Sequence, residues 1–273
     1  VLSRTQQPSS ATTTYLSSVA DIGQTKIDII INLAGAPIEQ RWTASTKKTL
    51  HNSRIDVNAS LIAYIKSVPY KPSLLISASA IGYYGTDERI EFSEKAPPTD
   101  RAPFARTLCT DRENQARKVE SYGVRTVLLR LGAVLAKDGG MLTKLLPAFR
   151  SGLGGAMGHG SQWVSWIDRN DLLQLILHLM LTPSIKGPAN ATTPNPLSNQ
   201  DFSQTLARVL HKPCLLRTPA FLLRAVFGQM ADEIMLAGQK VLLTKALSHG
   251  FVFSYPTHQS SHQKIFSIEL YSP

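Results

Sequence analysis

The sequence predicts a doubly wound parallel α/β fold, followed by a smaller and mostly helical C-terminal part. Short and nearly continuous apolar runs occur at residues 26–33, 73–79 and 124–131. Such runs are typical of parallel strands that are buried on both faces of a sheet. They alternate with segments whose apolar residues recur at helical spacing, and this alternation indicates strands joined by crossover helices. With 273 residues, of which 43% are hydrophobic, the chain is long enough to bury a sizeable core.

Residues 1–4 are predicted to form the end of a strand, because they have the composition of a strand end and a polar stretch follows them. The longest predicted helix covers residues 43–66, since Thr43 is suited to cap it and an apolar stripe runs along it. Two further helices are expected at 103–121 and 171–181. From about residue 188 prolines interrupt short segments, so we place a domain boundary there: 1–187 and 188–273.

Composition limits the classes of partner. The net charge is +10, but the basic residues are scattered, which favours a phosphate-bearing small molecule over a nucleic acid. Cys109 and Cys214 fit neither a disulfide framework nor a metal-site spacing, so we expect no metal. No apolar run approaches the roughly 20 residues of a membrane span, and no signal peptide is visible. A cytoplasmic protein that does not bind membranes is therefore expected.

Candidate ligand-binding residues follow the predicted strands. In open α/β sheets, ligands bind at the carboxyl ends of the strands. Small residues occupy 32–35, hydroxyl-bearing, aromatic and glycine residues occupy 77–85, and a glycine follows the strand at 130–135. Arg4 stands at the end of the first predicted strand, where an adenosine 2′-phosphate would need a cation.

Taken together, these stretches resemble the extended short-chain dehydrogenases. They resemble more closely the atypical nucleoside-diphosphate-sugar epimerase-like family whose members end in a domain of unknown function. The matching stretches are INLAGAPIEQRWT (31–43), SR (53–54), LLISASAIGYYG (74–85), LLRLGAVLAKDGGMLTKLLPAFRSGLGG (128–155), GSQWVSWI (160–167) and GQKVLLTKAL with GF (238–251). The resemblance implies a Rossmann-type sheet in 1–187 and a substrate-side domain in 188–273, of which 213–257 resembles the domain of unknown function.

The resemblance also implies that the cofactor is NADP(H). The cofactor-binding residues that it implies are Arg4 at the 2′-phosphate, Asn32, Leu33, Ala34 and Gly35 along the adenine-ribose side, Arg54 at the pocket or a phosphate, and Ser77, Leu131 and Gly132 beside the nicotinamide. The family's G-x-x-G-x-x-G turn, which joins the first strand to the first helix, is absent from the start of this sequence, and the glycines at 152–158 do not open an evident helix. We expect that turn, together with the first strand of the sheet, to lie upstream of Val1. Without it, dinucleotide affinity should be poor.

The catalytic pattern of the family is only partly matched. Such enzymes use a serine, a tyrosine about 25 residues later and a lysine four residues beyond it, the tyrosine acting as acid or base. Ser79 matches the serine, whereas Phe104 and Leu108 stand at the other two positions. Ser79 and Tyr83 are therefore the catalytic candidates. Candidate substrate contacts are Tyr84, Arg150 and Trp163, although Trp163 also suits a packed wall.

Two functions remain open. One is an NADP(H)-dependent epimerase or oxidoreductase that acts on a small polar substrate, with a nucleotide sugar as one candidate. The other is a non-catalytic NADP(H)-binding sensor or regulator, which Phe104 and Leu108 favour. A nucleic-acid binder rests on charge alone. A homodimer is expected only because dimers are common in the superfamily. His258 and His262 have a spacing that can suit a metal on a helix, but the sequence offers no third ligand nearby, so no metal site is predicted there.

Overall fold

A computed structural model describes residues 1–3, 5 and 7–267 of the chain. The strands are β1 (Ile29–Asn32), β2 (Leu74–Ala80), β3 (Asp87–Phe92), β4 (Arg125–Leu131), β5 (Ala133–Ala136), β6 (Gly155–Met157), β7 (Trp163–Val164), β8 (Trp166–Asp168), β9 (Gly187–Ala191), β10 (Leu197–Ser198), β11 (Leu216–Thr218) and β12 (Gln239–Val241). The helices are α1 (Ala44–Ser67), α2 (Pro103–Arg117), α3 (Gly140–Arg150), α4 (Arg169–Leu181), α5 (Asn199–Val209), α6 (Ala220–Phe227), α7 (Lys245–Ser248) and α8 (His258–Ser267).

The centre of the fold is a four-stranded parallel sheet in the order β1-β2-β4-β9. The predicted parallel α/β class is thus confirmed, and the three predicted strands coincide with β1, β2 and β4. Asn32 pairs with Ser77, and Ala80 pairs with Leu131. This register brings the carboxyl ends of the three strands to one edge of the sheet, where ligands bind in such folds.

Both faces of the sheet are covered by helices. Leu74 and Ile76 of β2 contact a buried cluster that includes Leu175 of α4. The intervening Leu75 contacts the opposite cluster, which includes Ile65 of α1 and Ala116 of α2. Successive strand side chains point to opposite faces, so strands buried in this way are apolar along most of their length. This arrangement is the physical reason for the continuous apolar runs in the sequence.

The long helix α1 begins where it was predicted to begin. The Thr43 hydroxyl accepts a hydrogen bond from the backbone N–H of Thr46 at 3.2 Å, and this bond satisfies one of the otherwise unpaired N–H groups of the first turn. Helix α4 starts in the same way, because the Asp168 carboxylate accepts the N–H of Asn170 at 2.8 Å. Both helices follow strands in the chain and pack against the sheet.

The C-terminal part shares strands with the first part. The boundary at 187/188 falls inside β9, which is a strand of the central sheet. Beyond residue 191, three short strands pair with strands of the first part that lie outside the central sheet: β10 with β7, β11 with β6 and β12 with β3. Strands of two or three residues are too short to show an alternating pattern, so the sequence predicted a mostly helical part here and none of these strands.

The N-terminal residues do not extend the central sheet. Leu2 forms an isolated parallel bridge with Leu16, and Val1–Ser3 pair with no strand of the sheet. Arg4 lies outside the described residues, as do residues 268–273. Within the described residues, no helix is both long and apolar enough to cross a membrane. No group of three or more metal-ligating side chains was found within the same residues.

Candidate active-site cleft

A cleft with a volume of about 650 Å³ opens at the carboxyl ends of β1, β2 and β4. Its wall at the strand ends includes Leu33, Ala34, Gly35, Arg54, Ser79, Leu108, Arg112, Leu131 and Gly132. Its other wall is formed by α3, by the β6–β7 region and by residues 227–239. Such a position and size are typical of small-molecule and cofactor sites in this class of fold.

Gly132 marks the point where the cleft wall is closely packed. A Cβ atom at this position would lie 2.5 Å from the carbonyl oxygen of Ser165 and 2.9 Å from Cγ2 of Thr192. A larger residue would therefore displace the backbone of the neighbouring segment. Gly132 and Leu131 both line the cleft, and their place beside the nicotinamide stays a prediction.

The loop after β1 is shaped by a buried asparagine. The Asn32 side chain accepts the N–H of Ala34 at 3.1 Å and donates to Asn58 at 3.0 Å. Asn32 is thus a support for the loop, and the following residues 33–35 form the cleft wall. Ser77 is buried below this level with no hydrogen-bond partner for its hydroxyl, and it does not line the cleft.

Ser79 lines the cleft and is held by a buried ion pair. Its hydroxyl donates to Oε1 of Glu113 at 2.8 Å. Glu113 also accepts two hydrogen bonds of 2.8 Å from Nε and Nη2 of Arg130. The three residues are 7%, 3% and 1% exposed, respectively. Burial alone would lower the pKa of Arg130, but its bonds and charge interaction with Glu113 outweigh burial and raise it.

The two tyrosines lie behind this ion pair. The ring of Tyr83 stacks on the guanidinium group of Arg130, with Cζ 3.4 Å from the ring centroid. Tyr84 is fully buried and donates to Oδ1 of Asn190 at 2.7 Å, and burial raises its pKa. Neither tyrosine is among the residues that line the cleft. The structure therefore brings Ser79 to the cleft but not Tyr83, its predicted catalytic companion, or Tyr84, a predicted substrate contact.

The family's tyrosine and lysine positions are occupied by packing residues. Phe104 contacts Trp42 edge to face, with ring centroids 4.8 Å apart, and it does not line the cleft. Leu108 is 4% exposed and belongs to the same apolar cluster, together with Met230. Neither side chain can transfer a proton, so any acid or base must come from elsewhere in the cleft.

Two arginines give one end of the cleft a positive charge. Arg54 donates to the carbonyl oxygens of Leu50 and Ala36 at 3.0 and 3.1 Å, and Arg112 donates to that of Asn32 at 3.3 Å. Nε of Arg112 is buried without a partner. Burial, and next the charge of Arg54, lower the pKa of Arg112 to about 10. Neither arginine forms an ion pair within the described part of the chain.

The remaining predicted substrate contacts differ in position. Trp163 lines the cleft, and its indole N–H donates to the carbonyl oxygen of Glu88 at 2.9 Å. Arg150 is exposed at the end of α3 and does not line the cleft. The sequence missed Glu113, Arg130 and Arg112, because a charged residue in a helix or strand gives no sign of which way it points.

Comparisons with known proteins agree with the sequence resemblance. The model of the NAD dependent epimerase/dehydratase family matches residues 5–191, and a domain of unknown function, DUF1731, matches residues 218–262. The chain is 41% identical over 228 residues to "Epimerase family protein SDR39U1 homolog, chloroplastic" of Arabidopsis thaliana, covering 83% of this chain and 65% of that protein. It is 38% identical over 241 residues to "Epimerase family protein SH2119" of Staphylococcus haemolyticus, covering 88% and 78%.

Two solved structures are also similar. The human epimerase family protein SDR39U1 (isoform 2), crystallised with NADPH, has a TM-score of 0.89 and 28% identity, with 97% of this chain and 90% of that chain covered. The nucleoside-diphosphate sugar epimerase of Corynebacterium glutamicum has a TM-score of 0.69 and 27% identity, with 86% and 45% covered. The fold is thus of the Rossmann type found in such epimerases. The chain belongs to the NAD-dependent epimerase/dehydratase family and carries the DUF1731 domain at its C-terminal end.

Proposed function

We propose that this chain binds NADP(H) in the cleft and is an oxidoreductase or epimerase-type enzyme that acts on a carbonyl or hydroxyl group of a small molecule. The observation that carries the proposal is Ser79, which lines the cleft and is oriented by the buried Glu113–Arg130 pair. Buried, paired groups that face a cleft at strand ends are typical of functional sites. The human relative crystallised with NADPH supports the choice of cofactor.

The residues of the strand-end wall suit a dinucleotide. The small residues Ala34, Gly35 and Gly132 allow a ligand to approach the backbone, while Leu33 and Leu131 supply apolar surface. Arg112, whose Nε has no partner, and Arg54 supply positive charge for phosphate groups. Asn32 would act through the shape of the loop, and the role of Arg4 at the 2′-phosphate stays a prediction. When bound, NADP(H) would supply or accept a hydride.

The proton would travel through Ser79. Because its O–H already donates to Glu113, the lone pairs of the Ser79 oxygen can accept a proton from a substrate hydroxyl in the cleft. As that proton arrives at Oγ, the original Ser79 proton passes to Oε1 of Glu113. In the direction of carbonyl reduction both transfers reverse. Glu113 would thereby provide the proton-transfer capacity that Phe104 lacks.

A non-catalytic NADP(H) sensor is the second candidate. The observation that favours it is the bidentate pairing of Glu113 with Arg130, which already engages both carboxylate oxygens. In this case the cofactor would bind without turnover.

For the enzyme, the name of the Corynebacterium protein suggests a nucleotide sugar as one candidate substrate. A cytoplasmic location and a homodimer also stay predictions.

The decisive experiment combines cofactor binding with turnover. NADPH fluorescence should report binding to the wild type, and NADPH oxidation should then be screened with carbonyl compounds. We expect Ser79→Ala to lower kcat by about 100-fold or more while the NADPH Kd changes little. Ser60→Ala, on the exposed side of α1, is the matched control, and Tyr83→Phe should retain most activity. Because dinucleotide affinity should be poor without the glycine-rich turn, the titration extends to millimolar NADPH. Failure to bind at that concentration would contradict both candidates, and binding without turnover of any carbonyl compound would favour the sensor.

A further inference from the structure

The half of the cleft away from the strand ends has an apolar lining. Its side chains come from α3, from β6 and from residues 227–235: Met141, Leu145, Met157, Phe227, Met230 and Met235. Four of these six are methionines, whose flexible thioether chains fit irregular apolar ligands. A sugar ring, with a hydroxyl on most carbons, would leave polar groups without partners against such a wall.

The charged groups in this half are already neutralised or occupied. Lys144 forms an ion pair with Glu39. Glu233 is 7% exposed, and its carboxylate accepts the N–H of Ala105 at 2.9 Å as well as the Gln229 amide. Among the described residues that line the cleft, the arginines without an ion pair lie at the opposite end. A diphosphate in this half would thus lie near carboxylates, with no unpaired cation of the described lining residues to neutralise it, and its binding there is unfavourable.

One polar atom in this half has no partner. Gln162 is 1% exposed, and its amide nitrogen donates to the carbonyl oxygens of Met157 at 3.0 Å and Met235 at 2.9 Å. These two acceptors fix which end of the amide is nitrogen. Oε1 is left buried without a hydrogen-bond partner. A ligand that donates an O–H or N–H to this atom would remove the cost of leaving it unsatisfied.

We infer that the substrate is an uncharged molecule with an apolar body, a carbonyl or secondary hydroxyl group that reaches Ser79, and a hydrogen-bond donor for Gln162. A nucleotide sugar does not meet this description. The inference rests on the proposed function for its reacting group, but its binding claim rests on the lining, the ion pair and the unpartnered amide oxygen alone. Binding and turnover are therefore tested separately.

The test is isothermal titration of the full chain, with and without saturating NADP⁺. The probes are straight-chain 2-alkanones of four to ten carbons, the same ketones with a terminal hydroxyl, and UDP-glucose. At about 0.8 kcal/mol per buried methylene, each added carbon should tighten binding about fourfold until the half-cleft is filled. A terminal hydroxyl at the length that reaches Gln162 should tighten it a further two- to tenfold. Affinity that does not depend on chain length, or tighter binding of UDP-glucose than of every ketone, would overturn the inference.

A charged variant of the lining tests the location. Leu145→Glu should weaken binding of the longest ketone at least tenfold while the NADPH Kd stays within twofold. Leu153→Glu is the matched control, because Leu153 is 65% exposed and does not line the cleft. Ketone binding that is unchanged in Leu145→Glu would contradict the assigned place. Ketone binding without any NADPH oxidation would contradict the proposed activity but not the substrate class, so the two failures are distinguishable.

Discussion

Replacing Glu113 by glutamine would remove the negative charge from the buried pair beneath Ser79 while keeping the shape of the side chain. Glu113 and Arg130 are 3% and 1% exposed, and two 2.8 Å hydrogen bonds join them. Nη1 of Arg130 already lacks a partner. Without Glu113 the guanidinium group would be a buried charge with no counter-charge, in contact with the rings of Tyr83 and Tyr84.

The expected cost is large because the pair is out of solvent. Breaking a buried ion pair from one side typically costs about 3–5 kcal/mol, a large share of the roughly 5–15 kcal/mol by which a domain is stable. The free energy of unfolding should be measured by urea denaturation of wild type and variant. Glu120→Gln is the control, since Glu120 pairs with Arg117 at 3.9 Å and both side chains are more than 40% exposed. That variant should change stability by less than about 0.5 kcal/mol.

A double variant separates the charge from the packing. Glu113→Gln combined with Arg130→Met leaves neither charge buried, so it should recover much of the stability that Glu113→Gln loses. Two results would refute the reasoning: a loss below about 1 kcal/mol in the single variant, or a double variant that loses the sum of both single losses. Either would mean that the pair is not under the electrostatic stress that its burial implies.

Three further outcomes are expected. Gly132→Ala should lower the melting temperature and weaken NADPH binding, because its Cβ would lie 2.5 Å from a carbonyl oxygen, whereas Gly139→Ala, with open space around it, should do neither. Arg112→Leu should weaken NADPH binding about tenfold in fluorescence titration, and Arg112→Lys should do so less because it keeps the charge. Burial lowers the pKa of His258 to about 2 and that of His262 to about 4. The unfolded chain takes up these protons near pH 6.5, so stability is present above that pH and should fall by about 2 kcal/mol per histidine on going to pH 5. Urea denaturation at both pH values should show this loss, and His258→Phe should remove about half of it.

The sequence predicted those elements whose patterns are long. β2 and β4 are seven residues each and carry buried apolar residues on both faces, so the run itself indicates a buried strand. Thr43 predicted the start of α1, because capping depends on residues close together in the chain. The division into 1–187 and 188–273 stays a prediction. The sequence could not show that its boundary falls inside β9, since β9 (GPANA) contains no bulky apolar residue and its membership of the sheet depends on β4, a distant part of the chain.

The candidate site was predicted where it depends on strand ends and missed where it depends on the interior face of a helix. Ser79 follows a recognisable strand, so its place at the edge of the sheet could be predicted. Glu113 and Arg112 lie in α2, and a charged residue in a helix usually faces solvent. Only the packing of α2 against the sheet shows that both point inward. Tyr83 had the right chemistry and the right loop, but its ring is held against Arg130.

The distribution of charge in the cleft bears on ligand placement independently of whether catalysis occurs. Arg54 and Arg112 lie in the strand-end wall, and neither pairs with a carboxylate of the described residues. A phosphate-bearing ligand therefore gains most from binding there. At the other end, the charge of Lys144 is neutralised by Glu39, and Oε1 of Gln162 is an acceptor without a hydrogen-bond partner. An anionic ligand that bound in the reverse orientation would leave both arginines unpaired and place its charge near an unsatisfied oxygen, which is unfavourable twice over. The cleft thus differs in charge between its two ends. Under the proposed function a dinucleotide would occupy the arginine end and an uncharged substrate the methionine end, with Ser79 in the wall that the reacting group would approach.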